Sequence, residues 1–119
     1  MRRLKKSITY AWHGLVYAFK HERNFQIHCG VALGVLLVAT FLDLSPIEKS
    51  ILFLVIALVL GMELINTAFE RVIDMLKPRV HPYARIVKDV MAGAVLMIAV
   101  LAVIIGALIF LPHLLTLTF

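Results

Sequence analysis

One stretch of the chain places acidic and amide side chains at a spacing that suits a single helix face. The stretch, residues 63–74, follows a long apolar segment without any turn signal, so we expect one continuous helix. At 100° per residue its polar side chains share an arc of about 100°. We call this set the acidic stripe, and its members are Glu63, Asn66, Thr67, Glu70 and Asp74. A carboxylate that begins such a stripe inside an apolar helix is costly, which makes it a candidate for function.

Further polar groups are expected at the same level of the packed helices, namely Glu22, Gln26, His28, Lys88 and Asp89. Carboxylate and carboxamide oxygens are ligands that suit Mg²⁺, and a lysine can neutralise phosphate oxygens. A carboxylate in an apolar wall is harder to ionise, which suits a general base that accepts a proton from a hydroxyl. These groups together favour phosphoryl transfer at a membrane surface.

The common nucleotide and metal motifs are absent from the sequence. It contains no G-x-x-x-x-G-K-[ST] loop, no Gly-rich loop or His-Arg-Asp run of the protein-kinase type, and no Cys/His set at zinc spacing. Its one cysteine, Cys29, excludes a disulfide framework within the chain. Any nucleotide site must therefore be of an unrelated type.

Composition and periodicity predict the elements that position these groups. Hydrophobic residues make up 62% of the 119 residues, well above the roughly 45–50% of soluble domains, so a single-domain membrane protein is expected. A basic amphipathic segment, residues 2–22, is predicted to lie on the membrane surface, and three spans are predicted at about residues 25–44, 47–69 and 90–112. In the turn between the first two spans, Ser45 or Asp43 can cap the next helix, with Pro46 at its first position. The predicted fold class is an all-α membrane protein with three transmembrane helices and an N-terminal surface helix. Three spans alone would leave polar groups facing lipid, so oligomerisation is expected.

The distribution of cations predicts the orientation of the chain. Residues 1–23 and 71–89 are rich in Lys and Arg, whereas the 43–49 turn has two anions and one cation. The positive-inside rule places the N-terminus and residues 71–89 in the cytoplasm and the C-terminus outside the cytoplasmic membrane. The formal net charge of +5 is then explained by topology and by attraction to lipid headgroups, so nucleic acid is an unexpected partner.

The residues alone leave three kinds of function open. A membrane enzyme that acts on a phosphate is favoured, and a proton- or ion-translocating bundle is the alternative, since acidic and His side chains inside spans also form relays. A structural pairing of Lys88 and Asp89 with the acidic stripe is the third. Depth favours the enzyme, because a relay needs ionisable groups across the whole membrane and the predicted ones gather on the cytoplasmic half.

Two motifs carry a resemblance to a known family. The Glu-x-x-Asn-Thr-Ala-x-Glu-x-x-x-Asp run at residues 63–74, followed by Lys88-Asp89 and Ala92-Gly93-Ala94-Val95, resembles the signature of the prokaryotic diacylglycerol kinase family. That family includes the undecaprenol kinases, and the segment Glu22-Arg-Asn-Phe-Gln-Ile-His28 is similar to the pattern of that branch. The resemblance covers about residues 3–112.

The resemblance implies a homotrimer of three-span subunits that transfers the γ-phosphate of MgATP to a lipid alcohol, either undecaprenol or diacylglycerol. It implies that Glu63 is the general base, that Glu22 and Glu70 hold Mg²⁺, and that Asn66 supports the site. It also implies that Lys88 and Asp89 contact the nucleotide phosphates and order the site. Residues that match positions lining the nucleotide pocket are Arg3, Tyr10 and His81.

The sequence departs from the diacylglycerol kinase branch just before His81. That branch has an acidic residue and a tyrosine where Arg79 and Val80 stand, so Arg79 is an alternative phosphate partner. The branch motif ending at His28 favours undecaprenol over diacylglycerol. For Asp74, a structural pairing with Arg71, Lys77 or Arg85 competes with a ligand role, and His28 is expected to be a hydrogen-bonded histidine within a span.

The predicted topology can be tested by labelling. Single cysteines introduced at Ser45 and Thr118 should react with a membrane-impermeant thiol reagent applied from outside the cell, because both positions are predicted to lie on that side. Reaction with cytoplasmic reagents alone would reverse the assignment.

Overall fold

The computed structural model describes residues 1–76 and 82–118 and consists of four helices in that part of the chain. They are α1 (Arg2–His21), α2 (Arg23–Thr40), α3 (Pro46–Met75) and α4 (Tyr83–Thr118). No strand occurs among the described residues. The predicted all-α class is therefore confirmed.

A tight junction connects α1 to α2. Glu22 is extended between the two helices, and its N–H donates to the carbonyl oxygen of Ala18 at 2.8 Å. The amide of Gln26 donates to the carbonyl oxygen of Phe19 at 2.7 Å, which satisfies a backbone group at the end of α1. Ala18 and Phe25 are buried on either side of the junction. The predicted surface helix thus ends at His21, and the chain turns before the first long apolar helix.

Helix α2 ends earlier than the span predicted at residues 25–44. Helix α2 ends at Thr40, four residues before the predicted end at residue 44. Leu42 and Leu44 lie beyond the end of α2 and are buried. These apolar residues therefore pack in the connection between α2 and α3 and do not extend α2. At 18 residues α2 is about 27 Å long, slightly less than the roughly 30 Å of a bilayer interior.

Helices α3 and α4 are long and apolar enough to cross a membrane. They have 30 and 36 residues, and so reach about 45 Å and 54 Å, longer than the bilayer interior. Helix α4 begins at Tyr83, as predicted, and continues through Pro112 to Thr118, beyond the predicted end of its span. The chain is therefore an all-helical membrane protein, whereas three spans and an oligomer stay predictions.

The start of α3 is fixed by a capping box. The Ser45 hydroxyl accepts from the N–H of Glu48 at 3.1 Å, and the Glu48 carboxylate accepts from the N–H of Ser45 at 3.0 Å. Pro46 occupies the first turn, where its missing N–H costs nothing. The sequence left Ser45 and Asp43 open as the N-cap of this helix, and the residue that caps it is Ser45.

The core lies at the end of the bundle where this turn meets α4. Leu42, Leu44, Leu52 and Ile109 form its buried cluster. Next to it, His113 Nε2 lies 3.0 Å from the Glu48 carboxylate and ties the C-terminal part of α4 to the start of α3. Many apolar side chains elsewhere, such as Leu54, Leu96 and Val103, are more than half exposed in the single chain, as expected for surfaces that face lipid or other subunits.

The capping box predicts a measurable stability difference between two serines of the same helix region. Ser45→Ala should destabilise the protein by about 1 kcal/mol, because the N–H of Glu48 loses its side-chain acceptor. Ser50→Ala is the matched control, since the Ser50 hydroxyl only donates back to the Pro46 carbonyl oxygen at 2.9 Å. Thermal unfolding in detergent micelles, followed by far-UV circular dichroism, should show a lower midpoint for Ser45→Ala alone. Equal midpoints would contradict the role of the cap.

Candidate active site

The acidic stripe runs from a buried to an exposed environment along α3. Glu63 is 4% exposed and Thr67 is 8% exposed, whereas the Asp74 side chain is 42% exposed. Because α3 is longer than the bilayer interior, this gradient is what a helix leaving the membrane would show. The stripe therefore connects a dry interior to an aqueous surface on one helix face.

The buried end of the stripe is paired with α2. The Nε2 atom of His28 lies 3.1 Å from Oε1 of Glu63. The Glu63 side chain is 5% exposed and the His28 side chain 26% exposed. A buried carboxylate without a partner would be strongly unfavourable, and this contact supplies one. His28 thus has a close polar contact with the candidate base on a neighbouring helix, and its hydrogen bonding stays a prediction.

The middle of the stripe is joined by a contact within α3. The amide of Asn66 donates to Oε1 of Glu70 at 3.4 Å, one helical turn apart. This long hydrogen bond places a carboxamide beside a carboxylate, both with hard oxygen atoms. Asn66 thus holds the Glu70 carboxylate by a hydrogen bond, as expected of a residue that supports a metal ligand.

Glu22 meets the stripe through an arginine of α3. The guanidinium of Arg71 forms an ion pair with the Glu22 carboxylate, and its Nε donates to the Tyr17 hydroxyl at 3.1 Å. The guanidinium also lies over the Tyr17 ring, 5.9 Å from its centroid. Arg71 follows the predicted span 47–69. Its hydrogen bond to the Tyr17 hydroxyl, and to a lesser extent the charge of the Glu22 carboxylate, raises the pKa of Arg71 above its usual value. Arg71 thus fixes the α1–α2 junction to α3.

Lys88 and Asp89, near the start of α4, have different partners. Lys88 Nζ donates to Oδ1 of Asp74 at 2.8 Å, across from α4 to α3. Asp89 lies 3.4 Å from Nε of Arg85 on its own helix, and both side chains are largely exposed. For Asp74 the contact with Lys88 is a structural pairing of the kind considered for Lys88 and the acidic stripe, whereas Lys77 lies outside the described residues.

The residues predicted for the nucleotide pocket are not brought together with Glu22. Tyr10 is 68% exposed on α1 and precedes Glu22 by twelve residues, about 18 Å of helix. Arg3 is also exposed, about 28 Å before Glu22 along the same helix. His81, with Arg79 and Val80, lies outside the described residues.

Two participants in the site were not predicted as such. The sequence did not single out Tyr17, and it suggested Arg71 only as one candidate partner of Asp74. Both contacts join residues about fifty positions apart, so they depend on how the helices cross. The position of Arg71 directly after Glu70 was the available sequence signal that Arg71 lies near the site.

The residues predicted to hold Mg²⁺ have suitable oxygen atoms but are engaged with other groups. Within residues 1–76 and 82–118, no three acidic, His or Cys side chains converge on one point. Proteins often bind Mg²⁺ with one or two carboxylates while phosphate oxygens and water complete the shell, so Glu22 and Glu70 fit the ion chemically. At Glu22, however, the ion would have to replace the Arg71 guanidinium.

An apolar cavity of about 350 Å³ lies between α2, α3 and α4 and begins beside the buried pair. His28 is the polar member of its lining among the described residues; the apolar members include Val31, Leu60, Ala102 and Phe110. The lining on α3 extends from Leu52 to Leu60, about 12 Å. The cavity is therefore an apolar space along the helices, and its one polar lining residue among those described, His28, contacts the Glu63 carboxylate.

The described part of the chain thus combines two helices that are long and apolar enough to cross a membrane with carboxylates paired to His28, Arg71 and Lys88 at one end of the bundle. The family model described as prokaryotic diacylglycerol kinase matches residues 9–110. The chain belongs to the prokaryotic diacylglycerol kinase family, which confirms the predicted family and the predicted enzyme class, a lipid kinase that phosphorylates an alcohol.

Similar proteins carry two kinds of name. An undecaprenol kinase of Bacillus subtilis is 43% identical over 96% of this chain and 93% of its own length. A diacylglycerol kinase of Synechocystis is 45% identical over 93% of this chain, which spans 64% of that protein. The diacylglycerol kinase of Escherichia coli K12 is 30% identical over 93% of this chain and 91% of its own length.

The contacts of Arg71 predict a loss of docking when its charge is removed. Arg71→Met should release the α1–α2 junction from α3, because the substitution removes the ion pair to Glu22 and the hydrogen bond to Tyr17. Limited trypsin cleavage after Lys20 should then become severalfold faster in detergent micelles, since local opening exposes the site. Lys49→Met, which removes an exposed cation near the other end of α3, should leave that rate unchanged. An unchanged rate in Arg71→Met would show that the junction is held by other contacts.

Proposed function

We propose that the protein transfers the γ-phosphate of MgATP to the primary hydroxyl of undecaprenol at the cytoplasmic face of the membrane. The observation that carries the proposal is the buried Glu63 carboxylate, which opens the acidic stripe at one end of an apolar cavity. A lipid alcohol needs this combination: an apolar passage for its tail and a proton acceptor for its hydroxyl. The 43% identical Bacillus subtilis relative, named undecaprenol kinase, supports this lipid, and diacylglycerol is the alternative acceptor.

In the proposed reaction Glu63 acts as the general base. As the hydroxyl oxygen of the lipid forms a bond to the γ-phosphorus, its proton passes to the Glu63 carboxylate. The bond from the γ-phosphorus to the oxygen of ADP breaks, and ADP leaves with that bonding pair. Burial of Glu63 keeps water away as a competing acceptor.

The exposed part of the stripe would receive the nucleotide. Glu22 and Glu70 are the proposed Mg²⁺ ligands, with Asn66 orienting Glu70 through their hydrogen bond. Bound Mg²⁺ would supply positive charge against the phosphate oxygens. Lys88 is proposed to contact a phosphate, in which case it would leave Asp74, and Asp89 is proposed to help order the same region. Arg3, Tyr10 and His81 are the proposed contacts of the nucleotide itself.

A homotrimer of three-span subunits is the proposed assembly, with α2 as the third span beside α3 and α4. The large number of exposed apolar side chains on a single chain supports association in the membrane. The proposed orientation places the N-terminus and the stripe in the cytoplasm, where ATP is available, and the C-terminus outside.

A proton-translocating bundle is a weaker candidate. The structure has a second ionisable pair, Glu48 and His113, at the opposite end of the bundle. Between the two levels, α3 has no ionisable side chain from Ser50 to Met62, and α4 has none from Val90 to Pro112. A proton would have to cross about 20 Å of apolar helix surface, which a relay of side chains could not support.

Removal of the proposed base gives the central test. Glu63→Gln should lower lipid phosphorylation by two or more orders of magnitude, about the contribution of a positioned general base, because the amide cannot accept the hydroxyl proton. MgATP binding should remain near normal in this variant, whereas Glu70→Gln should abolish metal-dependent nucleotide binding. The measurements are ³²P transfer to undecaprenol and diacylglycerol in competition, and calorimetric binding of MgATP.

Matched controls make the outcome specific. Glu48→Gln changes a carboxylate at the other end of α3 and should keep full kinase activity. Near wild-type activity in Glu63→Gln would remove Glu63 from the role of base, and normal Mg²⁺ dependence in Glu70→Gln would remove its ligand role. Proton flux through wild-type proteoliposomes without ATP or lipid would favour the translocating bundle.

A further inference from the structure

The contact between His28 and Glu63 brings an imidazole nitrogen to the candidate base. The two side chains come from different helices, α2 and α3, and meet through single atoms, Nε2 and Oε1, at 3.1 Å. An ionised carboxylate can only accept hydrogen bonds, so a hydrogen bond between these two atoms requires a proton on Nε2 of the imidazole. The neutral and the protonated imidazole both satisfy that requirement.

We propose that His28 is a positioning residue for the reaction proposed above: its Nε2–H donates to Oε1 of Glu63 and leaves Oε2 to accept the proton of the lipid hydroxyl. The inference depends on the proposed function, since it concerns the base of that reaction. His28 would not touch the phosphoryl group. It would act by fixing the rotamer of the Glu63 side chain.

The physical reason for such a donor lies in the burial of Glu63. With 5% of its side chain exposed, the carboxylate has little water to solvate or orient it. A charged acceptor without a donor is expensive in such an environment, and a side chain with three rotatable bonds could turn away from the substrate. One hydrogen bond to an imidazole solves both problems, because it stabilises the charged form and selects one direction.

An imidazole also suits the chemistry better than a permanent cation would. An arginine or lysine at this position would hold a full positive charge beside the carboxylate and would oppose its protonation during the reaction. A neutral imidazole with its proton on Nε2 can donate a hydrogen bond without placing a permanent positive charge beside the carboxylate.

The position of His28 relative to the cavity adds geometry to the argument. The imidazole lines the apolar cavity, and Glu63, which is not part of the lining, lies 3.1 Å from that imidazole. A chain that enters the cavity with its hydroxyl toward the acidic stripe would therefore bring that hydroxyl to the His28–Glu63 pair. His28 joins the apolar passage to the base, which is where a positioning residue is needed.

Two amide substitutions that differ by one methylene group test the proposal. The amide nitrogen of glutamine reaches about as far as Nε2 of histidine, whereas that of asparagine is too short. His28→Asn should lower kcat for lipid phosphorylation by about tenfold or more, as expected for a misplaced base, with an unchanged KM for MgATP. His28→Gln should recover most of the lost rate. His13→Asn, at an exposed histidine of α1, should leave the activity unchanged.

A double substitution shows whether His28 acts through Glu63. In the Glu63→Gln background, His28→Asn should cause little further loss, because the carboxylate that it positions is already absent. A full additional tenfold loss would overturn the inference, as would equal rates for His28→Asn and His28→Gln, which would indicate a purely structural role. If His28→Asn kept the wild-type rate of lipid phosphorylation while Glu63→Gln lost it, the positioning role of His28 would be overturned and the proposed function would stand. A wild-type protein that phosphorylates neither lipid would overturn the proposed function and this inference together.

Discussion

The structure depends on how a few polar side chains are accommodated in a mostly apolar helical bundle. Glu63 is the strongest case, because it is almost fully buried and carries a carboxylate. In such surroundings each polar atom needs a partner, and the partner must come from another helix when the neighbours on the same helix are apolar. His28 meets that need from α2. The most costly residue of the chain therefore also determines how two helices are placed.

The same rule accounts for the other contacts at this end of the bundle. Arg71 connects α3 to Glu22 and Tyr17, and Lys88 connects α4 to Asp74, so each helix is tied to α3 by a charged or polar group. The opposite end is organised differently, by packed leucines and a capping box, with Glu48 and His113 at its edge. Stability and chemistry are thus separated along the length of the molecule. A substitution in the apolar end should affect folding first, and one in the polar end should affect the reaction.

The sequence predicted what depends on local spacing and missed what depends on helix crossing. The acidic stripe, the start of α4 at Tyr83 and a cap at the start of α3 follow from periodicity and turn chemistry, and all are present. The end of α2 was placed four residues too late, because Leu42 and Leu44 are as apolar as a span although they pack in a turn. The contact of Arg71 with Tyr17 could not be derived because it depends on how α1 crosses α3, and the pairing of Lys88 with Asp74 was one of several that the sequence left open. The family motif predicted which residues matter, and the structure adds which of them touch.

The attachment of α1 has a mechanical consequence. The described contacts that hold this helix involve Tyr17, Ala18 and Phe19, all within its last turn and a half, so α1 is a lever with its pivot at one end. Arg3 lies about 28 Å from Glu22, and a tilt of about 10° at the pivot would move it by about 5 Å, more than the length of a hydrogen bond. The apolar face of α1 would rest on the lipid headgroup region, which makes the bilayer surface the support that sets the angle of the lever. Lipid composition and packing would then tune the reach of the N-terminal arginines without altering any residue of the membrane-embedded bundle.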